Sequence, residues 1–200
     1  MIYVRELALP SVDRAEAMSY MGVCHPSESD ERLLSRAEDE LLAELTPRVC
    51  YRELPLSVDG STVRLGDAVC RSEDLARRLR GADSAIVFVA TVGTSPDRLI
   101  GRYSRLSPSV ALAVSALGSE RVEALCDELC ATVCDGLGEG VSLLPRFSPG
   151  YGDLSLDFQR EIFRLLSPER NIGVTLGERL LMSPTKSVSA IIGIKRGEVL

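Results

Sequence analysis

The stretch Ala85-Ile86-Val87-Phe88-Val89-Ala90-Thr91-Val92 governs the reading of the whole chain. It is a continuous apolar run without alternation, which marks a central strand buried on both faces. Working outward, Pro108 to about Leu137 is rich in Ala, Val and Leu and reads as one long helix close to the core. Gly118 weakens that helix by about 1 kcal/mol relative to Ala, so it marks either a bend or a close packing contact. On the other side, Val49 to Val58 and Ser61 to Leu65 flank Asp59-Gly60, a strong hairpin signal.

The remaining segments fit around this centre. Residues 2 to 8 read as a short strand. Ser11 is placed to cap a helix from about Val12 to Tyr20, ended by Gly22. Ser29 to Leu45 is amphipathic, with Leu33, Leu34, Ala37, Leu41 and Leu45 as its buried stripe and Pro47 as its stop. Ser72 opens a short helix with acids first and Arg77, Arg78 and Arg80 last, an order that complements the helix dipole. Thr91-Val92-Gly93-Thr94-Ser95-Pro96 leads into another helix, whose free amides could meet an anion. One Gly and no Lys set it apart from a dinucleotide fingerprint or a P-loop. Val141 to Leu144 reads as a strand, and Asp153 or Ser155 as the cap of a helix holding Phe158, Ile162, Phe163 and Leu166. Thr175 to Met182 and Val188 to Ile194 read as the last strands, joined through Ser183-Pro184-Thr185-Lys186. Strands and helices mix without a regular βαβ repeat. The expectation is a single α+β domain over residues 1–200, a mainly antiparallel twisted sheet covered by long helices.

Composition narrows the function. The 200 residues carry a net charge of −6, with 45% apolar and 26% charged residues, as in soluble globular proteins. An acidic chain without Trp is a poor match for nucleic acid. Charge interrupts the apolar run at Met1-Ile2-Tyr3-Val4-Arg5-Glu6, unlike a signal peptide, and no stretch approaches the roughly 20 apolar residues of a membrane span. The cytoplasm is the expected compartment. Six cysteines, at 24, 50, 70, 126, 130 and 134, include no Cys-x-x-Cys pair. Cys126, Cys130 and Cys134 share one helix face and read as a packing stripe, so no metal is expected. The sole histidine, His25, lies in a polar loop without an identifiable partner. No nucleophile–base pair can be assembled, which favours binding over autonomous catalysis.

The binding residues are sought in Arg146-Phe147-Ser148-Pro149-Gly150-Tyr151. Pro149-Gly150 is a turn signal that can bring Arg146 and Tyr151 to one side. Arg146 offers a rigid fork of donors for a carboxylate or phosphate. Gly150 and Ser148 occupy turn positions where backbone can meet a ligand.

This motif and its surroundings resemble the activation domain of cobalamin-dependent methionine synthase. The resemblance rests on Arg146, Gly150 and Tyr151 in an Arg-x-x-x-Gly-Tyr motif and on the amphipathic helix Ser155 to Leu166. It continues in the run Ile172-Gly173-Val174-Thr175-Leu176-Gly177-Glu178-Arg179-Leu180-Leu181-Met182-Ser183-Pro184 and in Ser187-Val188-Ser189. Phe88 to Gly93 and Ala116 to Leu129 look like earlier parts of the same domain. It covers residues 80–195 well and leaves residues 1–70 divergent. It implies S-adenosylmethionine as ligand and methyl donor, with Arg146 on its carboxylate, Glu123 on its ammonium, and Ser148, Gly150 and Tyr151 around it. It also implies a cobalamin carried only by the partner, a methionine synthase or another corrinoid protein, and a flavodoxin-type electron donor. No match for the family's N-terminal Asp or C-terminal aromatic contact is found. The implied role is a stand-alone part of a methyltransferase system in methionine biosynthesis, reactivating a synthase that lacks this domain. The alternative is a non-catalytic module that docks on a corrinoid protein without binding S-adenosylmethionine.

Overall fold

The apolar run at 85–92 becomes strand β5, Ser84–Thr91 in the chain order given below, and every one of its residues is buried. A computed structural model describes residues 1–138 and 140–197. The order of elements begins β1 (Tyr3–Glu6), α1 (Arg14–Tyr20), α2 (Glu28–Leu41), β2 (Arg48–Asp59), β3 (Thr62–Leu65), β4 (Ala68–Arg71), α3 (Glu73–Arg78) and β5. It continues α4 (Ser95–Leu106), α5 (Pro108–Leu137), β6 (Val141–Leu143), α6 (Phe158–Leu166), α7 (Pro168–Asn171), β7 (Thr175–Leu176), β8 (Met182–Ser183) and β9 (Ser187–Arg196).

Among the described residues, the main sheet runs β4-β3-β2-β5-β9-β6, with β1 also paired to β2. Each neighbouring pair in it is antiparallel. β5 lies between its two longest partners, with Phe88 opposite Tyr51 on β2 and Ala190 on β9. Its side chains alternate between two cores. Ala85, Val87 and Val89 pack with Leu75 of α3, Leu79 just after it, and Phe158 and Ile162 of α6. Ile86, Phe88 and Ala90 pack with Val122, Leu125, Cys126 and Leu129 from the second half of α5. The first half of α5 belongs to a helical cluster with α1, α2 and α4, through Val114, Leu117, Leu34, Leu41 and Leu99. Thus α5 joins the sheet to the helical layer, and the expected α+β architecture is observed.

Several local expectations change. Asp13, not Ser11, caps α1, accepting from Glu16 N at 3.0 Å. Ser27 caps α2 through a reciprocal box with Asp30. The predicted strand Thr175–Met182 is two short strands around a tight reversal, closed by Gly177 N donating to Leu181 O at 2.9 Å. At Gly118, α5 runs on without interruption. A Cβ at Gly118 would lie 3.1 Å from Lys186 Cγ and 3.3 Å from Pro96 Cβ, so the glycine admits a close approach. No helix among the described residues is long and apolar enough to cross a membrane.

Candidate functional site

The six-residue motif lies alongside β9. After β6, Leu144 N donates to Gly193 O at 2.8 Å, and Phe147 exchanges backbone bonds with Ile191. Phe147 packs into the α3/α6 core. In an extended segment neighbouring side chains point to opposite faces, so Arg146 points toward α5. There its Nη2 donates to Glu123 Oε2 at 3.0 Å. Glu123 and Asp127 are one helical turn apart, and Asp127 Oδ1 lies 3.0 Å from Arg146 Nη1. That second contact is close but off the bond direction, since the buried Nη1 has no hydrogen-bond partner among the described residues. The guanidinium is therefore ion-paired and still holds an unsatisfied donor.

Burial pushes the Glu123 carboxyl up, with Asp127 and Glu16 adding to the effect and Arg146 opposing it. Burial alone would lower the Arg146 value, but the acidic groups around it, Cys126, Asp127 and Glu123, outweigh it and raise it.

Pro149 is buried, and Gly150 turns the chain at φ +90°. Tyr151 N donates to Ser148 O at 3.2 Å, and Gly150 N to Leu154 O at 2.9 Å. Ser148 is half-buried, whereas Tyr151 is 71% exposed. The facing wall comes from α1. The Tyr20 hydroxyl donates to Glu16 Oε1 at 3.2 Å. Its pKa is pushed up to about 12 by burial first, then by the nearby Glu16, Glu123 and Tyr151. A cleft of about 350 Å³ between the start of α1 and α5, beside the turn, is lined by Pro10, Ser11, Asp13, Glu16, Asp127 and Glu128. That volume is at the lower end of small-ligand clefts, roughly 300–1,000 Å³. A larger cavity, about 760 Å³, lies between the β2–β3 hairpin and α3. None of the motif residues lines either space; Asp127, the partner of Arg146, lines the α1–α5 cleft and makes it the candidate.

The α1 wall is pinned by Glu120 and Arg121, which are 1% and 2% exposed. Arg121 pairs with Glu120 and donates from Nη1 to Pro10 O at 2.7 Å and from Nη2 to Ser11 O at 3.1 Å. Glu120 accepts from Asp13 N at 3.0 Å. The structure thus brings together Glu123 and Arg146 and sets Ser148, Gly150 and Tyr151 on the adjoining turn. Sequence reasoning missed Asp127, Glu16, Tyr20 and the Glu120–Arg121 pair. Only the i, i+4 spacing of Glu123 and Asp127 could have signalled one of them.

The other candidates settle into packing or loops. Cys126 is buried against the sheet, and burial pushes its thiol well up. His25 and Cys24 are exposed between α1 and α2. The turn before α4 is packed against Thr46: a Cβ at Gly93, at φ +91°, would lie 2.1 Å from its Oγ1. Asp97 in the first turn of α4 already accepts from Thr185 N at 2.9 Å.

Fold and cleft together define an α+β domain in which one long helix backs a motif-bearing turn. No protein-family model matches the chain. No curated protein matches it in sequence. In three dimensions it is similar to the crystal structure of the MetH reactivation domain bound to AdoHcy, with a TM-score of 0.75 and 18% identity over 100% of this chain and 80% of that one. The chain has the reactivation-domain fold, and the likeness includes the first 70 residues, where the sequence resemblance fades.

Proposed function

We propose that this protein binds S-adenosylmethionine where the Arg146 turn adjoins the α1–α5 cleft and serves as an activation domain acting in trans on a methionine synthase that lacks one. The carrying observation is the Arg146 guanidinium, held by Glu123 and Asp127 yet retaining a buried donor with no hydrogen-bond partner among the described residues. A buried unsatisfied donor is costly, and a ligand carboxylate would supply the missing acceptor. Glu123 would face the ammonium group, with Ser148, Gly150 and Tyr151 closing the turn side. S-adenosylmethionine supplies the methyl group, and the cobalamin that receives it belongs to the partner. This chain's residues bind and orient the donor. The whole-length likeness to a reactivation domain supports the assignment. Cytoplasmic residence and a flavodoxin-type electron donor belong to the same reading.

One observation favours a second reading. Arg146 already has two protein carboxylates as counter-ions, which suits a module that docks on a corrinoid protein without this ligand. Calorimetry separates the two. Truncating a charged hydrogen-bonding partner costs about 2–5 kcal/mol, so Arg146→Ala should weaken S-adenosylmethionine binding by about thirtyfold or more. Absence of heat and of thermal shift for the parent protein at millimolar ligand would select the docking module. Recovery of an inactivated truncated synthase with reductant and S-adenosylmethionine should also require this protein.

A further inference from the structure

The turn bearing Gly150 and Tyr151 is tied to a helix far away in sequence. Asp153 accepts from Glu73 N at 2.6 Å and from Asp74 N at 3.2 Å, both in the first turn of α3. It also accepts from the Ser72 hydroxyl. In return, Asp153 N donates to Asp74 Oδ2 at 3.3 Å. Ser72 is 2% exposed and caps the same helix by accepting from Leu75 N at 2.9 Å. The first amides of a helix have no partners within it. Asp153 therefore completes, across 80 residues of sequence, the cap that Ser72 begins.

The approach is close enough to dictate the residue before it. Gly152 lies at φ +52°, and a Cβ there would be 2.3 Å from Asp74 Oδ2 and 3.0 Å from Asp74 Cγ. Beyond Asp153, Leu154 is buried and donates to Tyr151 O at 3.1 Å while its carbonyl takes the Gly150 amide. Tyr151 is thus an exposed side chain on a backbone fixed on both flanks. Its fixity comes from outside the cleft.

We propose that Asp153 is a positioning residue: by capping α3 it holds Gly150 and Tyr151 in their binding geometry before any ligand arrives, and Gly152 is glycine because the two segments must touch there. This deepens the S-adenosylmethionine reading of the same turn and rests on it. Holding a loop in its bound conformation strengthens binding without adding a contact to the ligand. Loss of Asp153 should therefore weaken binding although it touches nothing in the cleft.

The test compares the full chain with Asp153→Ala and Asp153→Asn, read by amide hydrogen exchange and by calorimetry with S-adenosylmethionine. Asp153→Ala should speed exchange at Gly150 and Leu154, leave Ser84–Thr91 unchanged, and weaken binding by roughly five- to tenfold, the scale of a lost helix cap. Asp153→Asn keeps an amide acceptor and should restore most of both. If Asp153→Ala does not fold, Asp153→Glu carries the test, since charge is kept and reach is altered, and the same opening is expected. Unchanged exchange at Gly150 and Leu154 overturns the proposal, and so does parental affinity in the Ala variant. If the parent protein binds no S-adenosylmethionine, the functional reading falls while the exchange pattern alone still decides whether Asp153 fixes the turn.

Discussion

Replacing Arg121 by Met is the sharpest perturbation the fold offers. The side chain is 2% exposed, and its partner Glu120 is 1% exposed. Methionine fills much of the same volume but removes the charge and its donors. Glu120 would then keep only the Asp13 amide as a partner, and the carbonyls of Pro10 and Ser11 would lose theirs. Breaking a buried pair by removing one member costs about 3–5 kcal/mol, because the other charge stays desolvated. Total stability for such a domain is about 5–15 kcal/mol, so the variant should remain folded but weakened. In urea, at a slope of about 2.5 kcal/mol/M, the midpoint should fall by about 1–2 M. Glu120→Gln in the same chain removes the stranded charge and keeps an acceptor for Asp13 N. The double variant should therefore recover most of the loss. A single-variant cost below about 1 kcal/mol, typical of an exposed pair, would refute the reasoning. So would a double variant no more stable than Arg121→Met.

Two further outcomes follow from the same geometry. Burial raises the Glu123 carboxyl above its unfolded value, so between those values the folded state binds more protons than the unfolded one, and stability should fall as pH rises through that window above the ordinary carboxylate range. Glu123→Gln should flatten that part of the pH–stability curve in chemical denaturation, and an unchanged slope would count against the desolvated carboxylate. At Gly118, alanine would gain about 1 kcal/mol of helix propensity. Its Cβ would meet Lys186, which is fixed by bonds to Ser115 and Ser119 at 3.0 and 2.8 Å. Overpacking costs typically 1–3 kcal/mol, so a net loss of about 1 kcal/mol is expected in thermal unfolding, and a raised Tm would contradict it.

What was legible in the sequence was whatever local chemistry determines. A strand buried on both faces has no polar side to hide, so Ala85–Val92 announces itself. A thirty-residue helix that joins two cores is apolar on several faces, so Pro108–Leu137 does too. The hairpin at Asp59-Gly60 needs only its own turn residues. Caps proved less legible. Ser11 and Asp13 are both good cap residues, and the choice between them is made from outside: Arg121 takes the Ser11 carbonyl, and the Asp13 carboxylate takes Glu16 N. Asp153 and Ser155 are both candidate caps for the helix that follows; Asp153 serves α3 instead, while the Ser155 hydroxyl accepts from Asp157 N. In the candidate site, Arg146 and Glu123 could be singled out by the resemblance, and their contact is observed. The α1 wall could not be, because Glu16 and Tyr20 acquire meaning only when α1 is laid against α5.

The charges of the cleft set a condition on whatever enters it. Arg146 faces Glu123 and Asp127, with Glu16 close by, so carboxylates outnumber the guanidinium and the wall is acidic at rest. A ligand bringing only a carboxylate would compete with Glu123 and Asp127 for Arg146 and be repelled by them. A ligand bringing a carboxylate and separate cationic groups meets complementary charge at both ends: the unsatisfied Nη1 takes the anion, and the acids displaced from Arg146 take the cation. S-adenosylmethionine, with its ammonium and sulfonium, belongs to the second kind. The resting ion pairs also keep Arg146 from standing uncompensated in a half-buried position. Two supports anchor the flanking segments from outside, Arg121 the chain entering α1 and Asp153 the turn. The paired arginine is therefore compatible with a binding site, provided the ligand carries charge of both signs.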